Sequence, residues 1–173
     1  LTQAGYRCRP FGLERFDGEL VRVHAVLSEG FAGNLGFTPL PLSEFQALFG
    51  PMRAVLIPEL APLVTAPDGR TVGFGYVFPD LAPAMSAAPA AGRSLDAAAV
   101  GAHPPQRLGV PTMVGVASAR GLGLVDWGLA ELMDHVAARG FRRAVGALAK
   151  EGPTIYTKTG LPTREYTLFA RQA

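Results

Sequence analysis

The sequence predicts an α/β fold with a mixed central sheet flanked by helices, and three observations carry that prediction. First, an apolar extended segment, Leu60–Ala66, is followed by Asp68-Gly69 and a second extended segment, Thr71–Phe78. Asp-Gly tolerates the positive φ of a tight turn, so the trio reads as a β-hairpin. Second, Leu108–Ala117 reads as a strand that runs through a glycine-bearing turn into an amphipathic segment ending at Arg139-Gly140. Third, Gly (21) and Pro (15) make up about a fifth of the 173 residues, well above the usual ~12%. That many chain-bending residues argue against a simple helical bundle.

The remaining elements follow in order. Tyr6–Phe11 alternates and reads as a first strand. Asp17 is placed to cap a helix through Leu20, Val23, Val26 and Leu27 to Gly30, apolar positions that recur at helical spacing. Ser43 opens a second short helix, with Ser43 and Gln46 spaced as a capping box and Phe45, Leu48 and Phe49 as its apolar stripe. Gly73 and Gly75 inside the second hairpin strand point to a bulge or a close backbone approach. Of the 27 residues in 79–105, 15 are Ala or Pro, which reads as a long loop between strands. Pro111 moves the regular part of the next strand to about Thr112. Ser118–Gly123 is a turn. The helix after it places Val125, Leu129, Leu132, Val136 and Ala137 on one face, with Gly140 as its C′ residue. Phe141–Ala149 is a strand, Glu151–Thr159 a short helix and Arg164–Arg171 a last strand. The order is βααββ, a long loop, then βαβαβ. Residues 1–173 form a single domain in this reading.

Composition excludes several classes. A single cysteine, Cys8, rules out a disulfide framework or a Cys-rich zinc site. Three scattered histidines lack metal-ligand spacing, so no metal is expected; His24 and His135 fall within helices. Ser118 has no G-x-S-x-G elbow around it. The longest charge-poor stretch, Ala82–Arg93, is broken by Pro83, Pro89 and Gly92, so no membrane span is expected. No secretory signal is visible, and the expected compartment is cytoplasmic. The net charge is only +2, and the basic residues, mostly Arg, are scattered without a stripe or an aromatic platform. Nucleic acid is therefore not an expected partner.

The informative segment is Arg120-Gly121-Leu122-Gly123-Leu124-Val125, set between a strand and a helix. Backbone N–H groups at a glycine-rich helix start bind anions, phosphates above all. Gly121 and Gly123 allow close approach, and Arg120 adds a fixed charge. A Walker loop would need Gly-Lys-Ser/Thr, which is absent. The dinucleotide pattern fails because its third glycine would fall at Asp126. Three side chains could serve as a general base: Asp80 and His103 at the ends of the 79–105 segment, and Glu44 on the second helix.

With these residues the chain resembles the Gcn5-related N-acetyltransferase (GNAT) superfamily over most of its length. The resemblance rests on the element order, the Asp-Gly hairpin with T-V-G-F-G, the R-G-L-G-L loop, the helix closing at Arg139-Gly140-Phe141, and Y-T-K-T-G followed by R-E-Y-T-L-F-A-R. Arg120 and Gly123 match the first and fourth positions of that family's acetyl-CoA loop. Val125 stands at the sixth, where the family has Gly or Ala. The resemblance implies acetyl-CoA as co-substrate, with Arg120, Gly121, Leu122, Gly123, Leu124 and Val125 holding its pyrophosphate. It implies that the preceding strand is splayed from its neighbour, and that Val114, Gly115 and Val116 meet the pantetheine and thioester through their backbone. Tyr156, four residues before Gly160, matches the family's general acid. The implied reaction is acetyl transfer by direct attack onto a small, partly apolar amine, with Gly30–Leu40 and the loop from Pro79 walling the acceptor.

Gly33–Leu40 with Glu44-Phe45, and Phe78-Pro79-Asp80-Leu81, look like GNAT-like domains that form the C-terminal half of longer chains. An upstream domain or a homodimer is compatible with that reading. Two rival readings stand beside it. One is a GNAT-fold domain without turnover, acting as an acyl-CoA sensor or a structural half of a larger enzyme. The other is a nucleic-acid or protein-interaction module.

Overall fold

The computed structural model describes residues 2–34, 36–87 and 105–146. Strands β1 (Arg7–Arg9), β2 (Leu63–Thr65), β3 (Thr71–Pro79), β4 (Arg107–Gly115) and β5 (Arg143–Gly146) form one sheet in the order β1-β2-β3-β4-β5. Each neighbouring pair from β1 to β4 is antiparallel, and β5 joins β4 in parallel. Helices α1 (Phe16–Phe31) and α2 (Leu42–Phe49) separate β1 from β2. Helix α3 (Ala82–Ala87) follows β3, and α4 (Leu124–Ala138) links β4 to β5. The mixed sheet and the βααββ…βαβ order match the expectation. The predicted strand's end at 147–149, the Glu151–Thr159 helix and the Arg164–Arg171 strand lie outside the described residues.

Side chains alternate across a strand, and the two faces of the sheet are buried by different helices. Leu63, Phe74 and Tyr76 meet Phe16, Leu20 and Val23 of α1 and Phe45 of α2. Val77 and Leu108 meet Leu132 and Val136 of α4. A buried ion pair fastens α1 to the sheet edge. Glu19 is fully buried and accepts two hydrogen bonds from Arg9 of β1, at 2.8 and 2.9 Å.

Several boundaries differ from the sequence reading, each for a local reason. A 3-10 turn at Leu13–Arg15 runs straight into α1, so Asp17 lies in the first turn rather than at the cap. There its charge complements the helix dipole. Pro41 stands at the N-cap of α2 without a side-chain cap bond, so the Ser43–Gln46 capping box does not form. Of the expected α2 stripe only Phe45 is buried, and Leu48 is 61% exposed. Leu60 belongs to a 3-10 turn, Pro58–Leu60, which shortens β2 to Leu63–Thr65. β1 is likewise only Arg7–Arg9. The segment from Pro79 is not a loop from its start: Pro79 ends β3, and α3 follows at Ala82–Ala87.

The hairpin turn itself is as expected. Gly69 has φ +86°, and the Arg70 N–H donates to Asp68 Oδ1 at 2.9 Å. Gly73 and Gly75 serve close approach. A Cβ on Gly73 would stand 3.3 Å from Val64 Cβ, and one on Gly75 3.4 Å from Pro62 Cγ. One register shift falls beside Gly73: Val64 pairs with Gly73 and Thr65 with Thr71, leaving Val72 as the extra residue; the other falls at Tyr76/Phe78. The second shift explains how Pro111 sits inside β4. Tyr76 pairs with Thr112 and Phe78 with Gly109, so Val110 and Pro111 together face Val77 as a bulge. Among the described residues, pairing with β5 runs from Arg107 to Val110.

Gly30 is where α1 presses on β4. A Cβ there would overlap Val114 Cγ2 and come within 3.1 Å of the Gly115 carbonyl oxygen. Gly30→Ala is expected to destabilise the fold by ~1–3 kcal/mol through overpacking, despite alanine's better helix propensity. Gly33→Ala, where a Cβ meets open space, serves as the neutral control. Urea denaturation midpoints of the two variants check this.

Candidate functional site

The site is built on the end of β4 and the start of α4. Val116 continues extended, with its N–H donated to the Val72 carbonyl at 3.0 Å. A 3-10 turn at Ala117–Ala119 reverses the chain, and Arg120 is extended again. Gly121 and Gly123 then adopt φ of +80° and +70°, and α4 starts at Leu124. Both glycines are needed for that left-handed backbone, and a Cβ at either would meet no atom within 4 Å. The loop's backbone is thus open on its outer side. Leu124 and Val125 occupy the first helical positions, whose N–H groups have no intrahelical acceptor. The positive end of the helix dipole adds to them. Arg120 is exposed and has no ion-pair partner among the described residues.

Val125 does not block this cradle. Its side chain is half-buried toward the sheet, with Cγ2 3.7 Å from where a Gly115 Cβ would be. Leu124 is buried with Val72, Val116 and Ala119, which anchors the helix start, while Leu122 is exposed. The buried face of α4 is Leu124, Gly128, Leu132 and Val136. That corrects the expected face: Val125 and Leu129 are half-buried and Ala137 is exposed. The C-terminal end is as expected, with Gly140 at φ +78°. Arg70 was not singled out by the sequence. From the hairpin turn it donates to Ser118 Oγ at 3.0 Å and faces Glu29 at 3.7 Å. It ties the turn before the loop to the end of α1. Its only signal in the sequence is its place after Asp-Gly, which fixes the turn but not the arginine's reach.

The ladder decides which β4 peptides turn toward β3 and which turn away from it. In antiparallel pairs, hydrogen-bonded and non-bonded positions alternate. Val116 bonds Val72, so Val114 and Thr112, two and four residues back, also turn their N–H groups toward β3. Gly75 turns the other way, donating to the Pro62 carbonyl at 2.9 Å, as this alternation requires. The N–H groups of Gly115 and Met113 therefore point away from β3. Of the expected trio Val114, Gly115 and Val116, only Gly115 has its N–H on that edge. Met113 was missed, because strand sequence alone does not set the phase of the ladder.

Glu44 is exposed on α2. Asp80 has structural duties on both oxygens: Oδ1 accepts the Ala82 N–H at 3.1 Å, capping α3, and Oδ2 pairs with Arg107 at 2.7 Å. That engagement weighs against its expected role as a base. His103 and Tyr156 lie outside the described residues. His24 Nε2 contacts the Leu40 carbonyl at 2.7 Å and fastens the segment before α2. Burial, with the Glu131 charge, pushes the Cys8 thiol up to about 11, so it is a neutral thiol at pH 7 rather than a nucleophile. Among the described residues no group of three His, Cys, Asp or Glu could hold a metal, and no helix is long and apolar enough to cross a membrane.

No protein-family profile and no curated protein matches the chain in sequence. Solved structures do match it in shape. An acetyltransferase from Trypanosoma brucei is similar at TM-score 0.56 and 16% identity, over 96% of this chain and 99% of that one. Glucosamine-6-phosphate N-acetyltransferase from Arabidopsis thaliana is similar at 0.57 and 15%, over 96% and 97%. A ribosomal-protein-alanine N-acetyltransferase from Brucella melitensis is similar at 0.51 and 16%, over 81% and 72%. At these identities the likeness is one of architecture. With the mixed sheet, the βααββ order and the glycine loop opening α4, it shows that the chain has the fold of the Gcn5-related N-acetyltransferase superfamily.

Proposed function

We propose that the chain is an N-acetyltransferase that takes acetyl-CoA as donor and a small amine as acceptor. The observation that carries this reading is the open loop Arg120–Gly123 at the start of α4, set beside the outward-facing N–H of Gly115. In it, the pyrophosphate lies on the backbone of Gly121–Val125 with Arg120 as counter-charge. The pantetheine runs along β4, and the peptide N–H groups of Gly115 and Met113 meet its amides and the thioester oxygen. A fixed donor aimed at an oxygen that gains charge lowers the barrier without reorganisation.

The amine nitrogen attacks the thioester carbonyl carbon. As the tetrahedral intermediate collapses, the C–S bond breaks and an amide forms. The nitrogen gives up one proton, and the departing thiolate takes up one, leaving free CoA. Tyr156 is the proposed donor to sulfur.

One observation favours the alternative of a GNAT-fold domain that binds acyl-CoA without turnover. Asp80, a proposed base, is engaged on both oxygens, and Glu44 stands exposed on α2. A nucleic-acid module gains less support: Arg9, Arg70, Arg107 and Arg139 are each paired with a carboxylate of the chain.

Calorimetric titration with acetyl-CoA tests the reading. Micromolar binding is expected, weakened about 10- to 100-fold in Arg120→Ala, the worth of a charge-assisted contact to phosphate. Absence of binding at millimolar acetyl-CoA, by a chain that melts cooperatively, would overturn it. Binding without release of CoA thiol across a panel of amines would select the non-catalytic alternative.

A further inference from the structure

The far half of β3 and β4 presents an aromatic floor on the face covered by α1 and α2. Tyr76 and Phe78 project from alternate positions of β3, with ring centroids 5.9 Å apart. Phe78 is 38% exposed, whereas Tyr76 is half-buried and packs at the edge of the core that holds Phe45 of α2. The bulge at Val110–Pro111 sets Gly109 opposite Phe78, and the glycine lets the ring lie across β4. A Cβ on Gly109 would stand 2.8 Å from Phe78 Cζ and 3.1 Å from both neighbouring ring carbons. Thr112, directly opposite Tyr76, completes the floor.

This floor adjoins the edge where acetyl transfer is placed. Thr112 is three residues from Gly115, ~10 Å along the strand, and one residue from Met113. The nearest carboxylate in sequence, Asp80, is neutralised by Arg107 at 2.7 Å. A surface of two aromatic rings and a glycine, with its carboxylate already paired, suits a flat apolar group.

Resting on the acetyl-transfer reading, we infer that the acceptor is a primary amine on a short chain bearing an aromatic or comparably flat apolar group, which seats on Phe78 and Tyr76 over Gly109. Phe78 is then a specificity-determining residue, and the acetyl-CoA loop is untouched by its removal.

The test is release of CoA thiol from acetyl-CoA with phenylethylamine or spermidine as acceptor, in the parent chain, Phe78→Ala and Phe78→Leu. kcat/KM for phenylethylamine is expected to exceed that for spermidine by about tenfold or more, the usual discrimination of an apolar pocket. Phe78→Ala should raise the KM for phenylethylamine about tenfold with little change in kcat, and Phe78→Leu should fall between. Calorimetric affinity for acetyl-CoA should be the same in all three. Preference for spermidine, an unchanged KM in Phe78→Ala, or no turnover of phenylethylamine while spermidine is turned over, each with acetyl-CoA binding intact, overturns the acceptor assignment alone; no turnover of either amine overturns the acetyl-transfer reading with it. Loss of acetyl-CoA binding in the folded parent chain overturns the acetyl-transfer reading and this inference with it.

Discussion

Strand β4 has two hydrogen-bonding edges, and the rest of the structure is arranged around how they are used. One edge is given to β3 from Leu108 to Gly115, and the link continues through Val116 to Val72. The other is paired with β5 only from Arg107 to Val110 among the described residues. From Thr112 onward, alternate peptides turn outward in a fixed phase. Gly30 of α1 holds β4 from one face through Val114. Leu124 and Val125 of α4 hold it near Gly115 and Val116. A strand packed on both faces holds its outward N–H groups in place, as a donor to a developing charge requires.

The loop after β4 depends on the same packing. Gly121 and Gly123 turn the chain through left-handed backbone, and the helix α4 begins at Leu124 directly after them. Leu124 buries beside Val116, so loop and strand share one core. Arg70 braces the turn at Ser118 against Glu29 of α1. Further away, the buried Glu19–Arg9 pair fixes the start of α1 on β1. The Glu19 carboxylate of that pair also has the Arg22 guanidinium at 3.8 Å. That pair sets the orientation of the helix whose far end, at Gly30, reaches the site.

Much of this was legible in the sequence because it is local chemistry. Asp68-Gly69 announces a tight turn, Gly140 a helix end, and Gly121 and Gly123 a left-handed turn, each through backbone preference alone. Three features were not legible. The cap of α2 depends on Pro41 arriving in an extended conformation, so Ser43 falls two positions too late. The site's phase depends on which β4 peptide first bonds β3. Sequence cannot say that this is Val116, and so Met113 was passed over and Val114 and Val116 were included. Asp80 looks free in the sequence because Arg107, its partner, is distant along the chain and comes near only when β3 and β4 pair. In each case the missing information is tertiary.

Amide hydrogen exchange along β4 and the loop, with and without acetyl-CoA, tests this arrangement most directly. The account predicts slowed exchange at Met113, Gly115 and the amides of Gly121–Val125. Val114 and Val116, whose N–H groups already face β3, should change least. Slowing confined to other parts of the chain, or as large at Val114 and Val116 as at Gly115, would contradict it.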